Sequence, residues 1–239
     1  MDISVFFDKG IRRSNNEDNY LISDNSREYT LIAVADGMGG HQAGEVASKT
    51  AIDCVGQFNF NINLDLLEEI EQVIYQANRK IIEMSNKNIK YKGMGTTLSL
   101  GIIYNDKLYY GHIGDSRILY YRNQTLKQLT TDHTLVNKLI KEDKLNQEEA
   151  FNHPQRHILT RALGLEFDIK IETDVFELKR NDILLFCTDG LTDMIPLKNI
   201  EDIIKNNFSE IDIITNNLGE KALANGGKDN LTLVTGIIN

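Results

Sequence analysis

Residues 96–122 read TTLSLGIIYNDKLYYGHIGDSRILYYR, three apolar runs parted by short polar pairs, and their reading decides the fold. The runs Thr96–Tyr104, Lys107–Ile113 and Arg117–Arg122 are rich in Leu, Ile, Tyr and Thr, side chains that suit a pleated, half-buried surface. Asn105-Asp106 is a pair that turns a hairpin, and Gly114-Asp115 and Asn123-Gln124 punctuate the next two connections. Sequential hairpins imply an antiparallel meander.

Further runs of the same kind lie on either side: Ile3–Phe7, Tyr20–Ser23, Thr30–Ala35, Ile169–Glu177, Ile183–Thr188 and Leu231–Ile238. Between them, Ala47, Ala51, Cys54, Val55 and Phe58 recur at helical spacing, as do Leu67, Ile70, Ile74, Ala77 and Ile81, and later Ile211, Ile214, Leu218 and Leu223. Each set gives one apolar stripe that needs a sheet to cover. The expected fold is α+β, two stacked antiparallel sheets flanked by helix layers. Residues 132–164 interrupt this pattern with short helical stretches, Leu135–Glu142 and Gln147–Phe151, and are expected to form a flap within a single domain spanning residues 1–239.

The chain has 239 residues, 41% hydrophobic and 26% charged, with 26 Lys and Arg against 35 Asp and Glu for a net charge of −9. A chain of this size buries roughly 70–75% of the surface its unfolded form exposes, enough for a core without disulfides. Its acidity and the lack of any basic run beyond Arg12-Arg13 argue against a nucleic-acid partner. No apolar run is longer than Ile183–Cys187, so neither a signal peptide nor a membrane span is expected. Cys54 and Cys187 stand apart in apolar surroundings and read as buried reduced thiols, which fits the cytoplasm.

Several acids punctuate the strands. Asp36 follows LIAVA and precedes Gly37; Asp189 follows ILLFC and Thr188 and precedes Gly190. Glu17-Asp18, Asp115, Asp193 and Asp229 occupy similar places. Alone, each is a turn or cap residue. Gathered in one place, the seven would repel one another unless cations were bound, and oxygen ligands without a His or Cys cluster favour Mg²⁺ or Mn²⁺ over Zn²⁺.

The segments GIRRSNNED, VADGMGGHQAGEVAS, GMGTTL, GHIGDSR, residues 132–164, CTDGLTD and GGKDNLTLV occur in this order along almost the whole chain. Together they resemble a bacterial member of the PPM family, the type 2C metal-dependent serine/threonine protein phosphatases. The resemblance implies a four-layer α-β-β-α sandwich with a two-metal centre between the sheets. By that likeness Asp36 bridges two Mn²⁺ or Mg²⁺ ions, the Gly37 carbonyl and Glu17 serve the second, and Asp189 and Asp229 serve the first. Asp18 orients water at the ions, and Asp115 and Asp193 hold a third ion beneath the flap. Arg13 matches the phosphate-binding arginine; its planar fork suits two phosphate oxygens. Some family members carry a histidine directly after the bridging Asp-Gly. Here that place is Met38, and His41, three residues on, is the candidate proton donor to the leaving group.

The resemblance also implies phosphorylated proteins as substrates, a bacterial Ser/Thr kinase as functional antagonist, and a free-standing monomer. Two other readings stand beside it: a binding module that has lost catalysis, disfavoured because every main ligand position is filled, and a different metal-dependent hydrolase such as a phosphodiesterase or nuclease. His112 within a strand reads as a hydrogen-bonded core residue, and His133, His153 and His157 as supports of the flap.

Overall fold

A computed structural model describes residues 1–23, 28–39, 43–146, 149, 153–208 and 210–239. Among them, one five-stranded sheet runs in the order β1 (Asp2–Asp8), β11 (Leu231–Ile237), β10 (Ile183–Cys187), β7 (Arg117–Arg122), β8 (Thr125–Gln128). The other runs β2 (Asp18–Ser23), β3 (Thr30–Met38), β5 (Leu98–Tyr104), β6 (Lys107–Ile113), β9 (Glu172–Glu177), with the short β4 (Gly95–Thr96) paired to the end of β3. Every strand pairing is antiparallel.

Period-two alternation explains the layers. In β3, Leu31, Ala33 and Ala35 face α1 (Ala43–Gln57) and α2 (Leu66–Lys87), while Ile32 and Val34 face the opposite sheet. In β10, Ile183, Leu185 and Cys187 join the helix layer, while Leu184 and Phe186 enter the space between sheets. Strands covered on both faces carry unbroken apolar runs, which is why LIAVA and ILLFC show no polar alternation. Three apolar layers result, and the four-layer α-β-β-α sandwich is as expected.

The meander expectation needs correction. Asn105-Asp106 and Asn123-Gln124 are tight two-residue turns with all four residues at positive φ, joining β5 to β6 and β7 to β8. Gly114-Asp115 is not a hairpin: β6 belongs to the six-stranded sheet and β7 to the five-stranded one. Gly114, at φ 112°, turns the chain across the sandwich, and its close approach to Thr97 leaves no room for a Cβ. A two-residue polar break looks alike in sequence whether the chain folds back or changes sheet.

The boundaries differ in smaller ways. The run from residue 96 breaks at Thr97, and β9 begins at Glu172 rather than Ile169. Two elements carry weak signals and were not expected: β8, only four residues long, and a helix after Pro196 (Leu197–Asn206) that buries Ile200 and Ile204. The latter packs beside the expected C-terminal helix (Ile211–Ala224). Residues 132–164 include α3 (Leu135–Lys141), capped by Thr134 Oγ1 accepting from Asn137 N at 3.3 Å, and meet the rest of the chain at Thr96↔Leu163. The expected helix at Gln147–Phe151 falls almost wholly outside the described residues. After α3 come α4, the turn Asp189–Thr192, then α5 (Leu197–Asn206) and α6 (Ile211–Ala224). Among the described residues no helix is long and apolar enough to cross a membrane.

Candidate metal centre

The acids converge at one edge of the sandwich, contributed by both sheets. Asp18 opens β2 and sits opposite Asp36 of β3. Glu17 precedes β2, and its main chain is pinned: Asn230 Oδ1 accepts from Glu17 N at 2.8 Å, and Glu17 O accepts from Ser48 Oγ. From the other sheet, Asp189 follows β10 as the first residue of α4, and Asp229 lies two residues before β11. Asp115 sits in the sheet-crossing link, and Asp193 closes α4.

Gly37 is required by crowding. A Cβ there would overlap Gly44 O, and one on Gly44 would lie 2.5 Å from Glu17 Oε2 and 2.8 Å from Gly37 O. Two glycines thus let the Gly37 carbonyl and the Glu17 carboxylate approach the start of α1 together.

The electrostatics follow. Asp36 and Asp189 keep some exposure at the mouth, yet loss of water pushes both well above the usual carboxylate range. Neighbouring charges push the same way: Asp18, Asp189, Asp115 and Asp229 on Asp36, and Asp115, Asp193, Asp229 and Asp18 on Asp189. Burial raises Asp18 to about 7 even though its Oδ2 accepts from Thr232 Oγ1 at 2.7 Å and Thr188 Oγ1 at 2.9 Å. Asp115 is raised to about 7 by burial and then by Asp132, with Arg117 opposing.

Arg13, with a side chain 48% exposed, reaches in from the rim and bonds Asp229 Oδ2 through Nη2 at 2.6 Å. His41 lies outside the described residues.

The arrangement fits divalent ions on its own terms. Among the described residues, Asp18 Oδ1 and Asp189 Oδ1 are buried and accept no hydrogen bond, a costly state for a carboxylate oxygen unless a cation takes it up. The donors of the inner set are carboxylate and carbonyl oxygens, the preference of Mg²⁺ and Mn²⁺.

A second gathering, His112, His133 and Glu172, has donor atoms within 4.8 Å of one another. Its hydrogen bonds give it a structural role. Gly114 N donates to His133 Nδ1 at 3.1 Å, while His133 Nε2 lies 3.3 Å from Arg161 Nη1 and 3.6 Å from Glu172 Oε2, so both ring nitrogens already have partners within the protein. His112, pushed down to about 4 by burial and then by His133, stays neutral between Ser99 Oγ at 2.9 Å and Thr131 O at 3.2 Å.

The family model for protein phosphatase 2C matches residues 11–224. The chain belongs to the protein phosphatase 2C family. It is 38% identical over 235 residues to the serine/threonine phosphatase stp of Listeria welshimeri, covering 95% of this chain and 92% of that protein. The serine/threonine phosphatase of S. agalactiae superposes with a TM-score of 0.92 at 35% identity, covering 100% of this chain and 99% of the other. The catalytic domain of the serine/threonine protein phosphatase PstP, solved in complex with 2 manganese ions, matches with a TM-score of 0.86 at 32% identity, covering 100% and 98%.

Around this candidate centre the structure adds residues that the sequence did not single out. Thr188 and Thr232 fix Asp18; Asn230 ties Glu17 to Lys9 O and Asn15 O; Thr97 Oγ1 accepts from Asp36 N at 2.9 Å. Thr188, Asn230 and Thr232 are signalled only by nearness to the acids in CTDG and DNLT, and Thr97, in GTT, has no acid near it in sequence. His157, expected only to support the flap, stands with its Nδ1 3.4 Å from Asp193 Oδ2. Arg156 is there too, Nη2 lying 3.4 Å from the same oxygen.

Proposed function

We propose that this member of the protein phosphatase 2C family hydrolyses phosphoserine and phosphothreonine monoesters in proteins, using two divalent ions held by Glu17, Asp36, the Gly37 carbonyl, Asp189 and Asp229. One observation carries the reading: carboxylates from both sheets crowd a single edge, and two of their buried oxygens, on Asp18 and Asp189, have no hydrogen-bond partner among the described residues. The manganese-loaded PstP catalytic domain supports Mn²⁺ as one suitable ion.

When bound, the ions supply the Lewis acidity that lets a water lose its proton near neutral pH and attack phosphorus in line with the departing oxygen. The chain's own groups do the rest. Arg13 leaves Asp229 and offers a planar pair of N–H donors to two phosphate oxygens, stabilising charge that grows in the transition state. Asp18, with Oδ2 held by two threonines, keeps Oδ1 free to accept from water and hold it in line. His41 is assigned the proton for the leaving oxygen; its replacement by Ala should hurt substrates with poor leaving groups most. Asp115 and Asp193 are assigned to a third ion. Cys187 is no nucleophile: it is fully buried and burial pushes its thiol up to about 12.

The physiological setting we infer is cytoplasmic, with the chain acting as a monomer on phosphoproteins made by a bacterial Ser/Thr kinase, and with residues 132–164 as a flap inside one catalytic domain of residues 1–239. Release of phosphate from phosphoSer and phosphoThr peptides, with Mn²⁺, with Mg²⁺ and with EDTA, tests the reading. Turnover should require the ion and vanish in Asp36→Asn and Asp229→Asn while circular dichroism stays unchanged. Near-wild-type activity of either variant in Mn²⁺ buffer overturns it.

A further inference from the structure

The acidic edge has a basic counterpart at the far end of β7 and β10. Arg122, Lys179, Arg180 and Lys205 line a cavity of about 540 Å³, and among the described residues Asp182 is the one acid that lines it. Four cations against one acid leave the lining at +3, on a chain whose net charge is −9. Three loops build it: the β7–β8 turn, the turn between β9 and β10, and the end of α5.

The acid is spent on holding these walls together. Asp182 is buried and accepts from Arg122 Nε at 2.8 Å and from Lys179 N at 2.7 Å, and its carbonyl accepts from Ile238 N at 2.9 Å. The cations are not spent. Lys179, Arg180 and Lys205 are exposed and make no ion pair among the described residues, and Arg122 Nη1 makes no hydrogen bond among them. Glu201, the acid that Lys205 influences, is already held by Lys198 Nζ and Leu126 N. Phe208, 43% exposed, adds an apolar rim with its ring 6.2 Å from that of Tyr121.

We infer that this cavity docks an acidic segment of the phosphoprotein substrate, with an apolar side chain against Phe208, remote from the residue being dephosphorylated. The inference rests on the phosphatase reading and names a substrate class for it. Charge complementarity names the occupant: carboxylates are repelled by the acidic edge and drawn to this end of the molecule. Cations spread over three exposed loops suit a strip of acids, whereas a free small anion asks for a concave site that buries most of it. The strands set the spacing. Arg117 and Arg122 end β7, which puts about 17 Å between its ends at ~3.3 Å per residue, and Asp182 and Asp189 lie beyond opposite ends of β10. Extended chain also covers ~3.3–3.6 Å per residue. A substrate therefore needs at least about five residues between its phosphoresidue and the acidic segment, and more where it follows the curved surface.

Two measurements test the inference on Lys179→Ala/Arg180→Ala/Lys205→Ala, three exposed positions, with fold checked by circular dichroism. The first needs no turnover: fluorescence anisotropy at low salt of a labelled, unphosphorylated Glu-rich peptide, beside a Gln-rich peptide of the same length. The Glu-rich peptide should bind wild type about 10-fold more tightly than the triple variant, and the difference should fade as salt rises. The second is KM in Mn²⁺ buffer for a phosphothreonine peptide, bare or joined to the Glu-rich tail by a linker of about two or about twelve residues. The longer linker should lower KM about 5- to 10-fold in wild type by raising effective concentration. The ratio of bare to tailed KM should return to about 1 in the triple variant. Equal anisotropy for wild type and variant, a tail effect that survives in the variant, or the same effect with the short linker overturns the docking site. So does inorganic phosphate or an oligonucleotide binding there in place of the peptide. No phosphate release from the bare peptide overturns the phosphatase reading alone, since anisotropy reads the cavity by itself.

Discussion

Asp18 and Asp36 face each other across the β2–β3 ladder, and among the charges acting on Asp36 that of Asp18 is the strongest. Like charges placed opposite one another in a sheet destabilise it. Their pairing makes metal-free stability depend on pH in a definite direction. Asp18 and Asp115 are raised to about 7 from an unfolded value near 4. The native state therefore holds more protons than the unfolded state between those limits, and stability falls as pH rises through that window. The EDTA-stripped protein should lose Tm as the pH rises from about 4 to 7, by ~2–4 °C per kcal/mol for a chain this size. Mn²⁺ should restore it, with the larger gain at the higher pH. A flat Tm profile without metal would contradict this origin.

Arg13 should separate binding from fold. It is half-exposed, and among the described residues its side chain bonds Asp229, so Arg13→Ala should leave thermal stability within about 0.5 kcal/mol. Loss of its charged donors should lower kcat/KM about 10- to 100-fold, the equivalent of about 1.5–3 kcal/mol. Arg13→Lys should recover only part, because an ammonium lacks the fork. Steady-state kinetics on a phosphopeptide decides.

Thr232→Val removes one of two hydroxyls from Asp18 Oδ2 at nearly constant volume. The carboxylate then sits in the same buried place with fewer donors, and its proton affinity rises further. Stability should drop by about 1–3 kcal/mol, and the metal requirement should shift to higher concentration. Calorimetric Mn²⁺ binding checks the second effect. Val at position 188 should be worse, since Thr188 Oγ1 also accepts from Thr232 N at 3.0 Å.

Thiol reagents supply a negative control. Cys187 is fully buried and its thiol is held far from ionisation, and burial raises half-buried Cys54 as well. Iodoacetamide on the native enzyme should leave turnover unchanged at neutral pH, and Cys187→Ala should lose stability through packing without losing metal-dependent activity. Stoichiometric inactivation by alkylation would point to a cysteine mechanism instead.

The layers were readable because two-sided burial writes unbroken apolar runs, as in LIAVA and ILLFC, and one-sided helices write stripes. The change of sheet at Gly114 was not, because the φ that carries the chain across depends on Thr97 packing against it from the break between β4 and β5. The same limit applies to the site. Acids placed after strands stand out in order, but which oxygens are left bare depends on Thr188 and Thr232, far from Asp18 in sequence. The place of His157 was invisible for a further reason: a flap residue's neighbour is set by how the flap lies on the body, and no local spacing encodes that.

The acidic edge is built half from each sheet, Asp18 and Asp36 on one side of the seam and Asp189 and Asp229 on the other. A ligand that binds only the closed arrangement draws unfolded chain back to the native state by mass action. Deprived of that ligand, a larger share of the chain is open at any moment, and cellular proteases act on the open share. Scarcity of the metal would then remove the molecule as well as silence it, and its half-life in metal-depleted cells should shorten, less so in an Asp36→Asn variant whose seam carries one charge fewer.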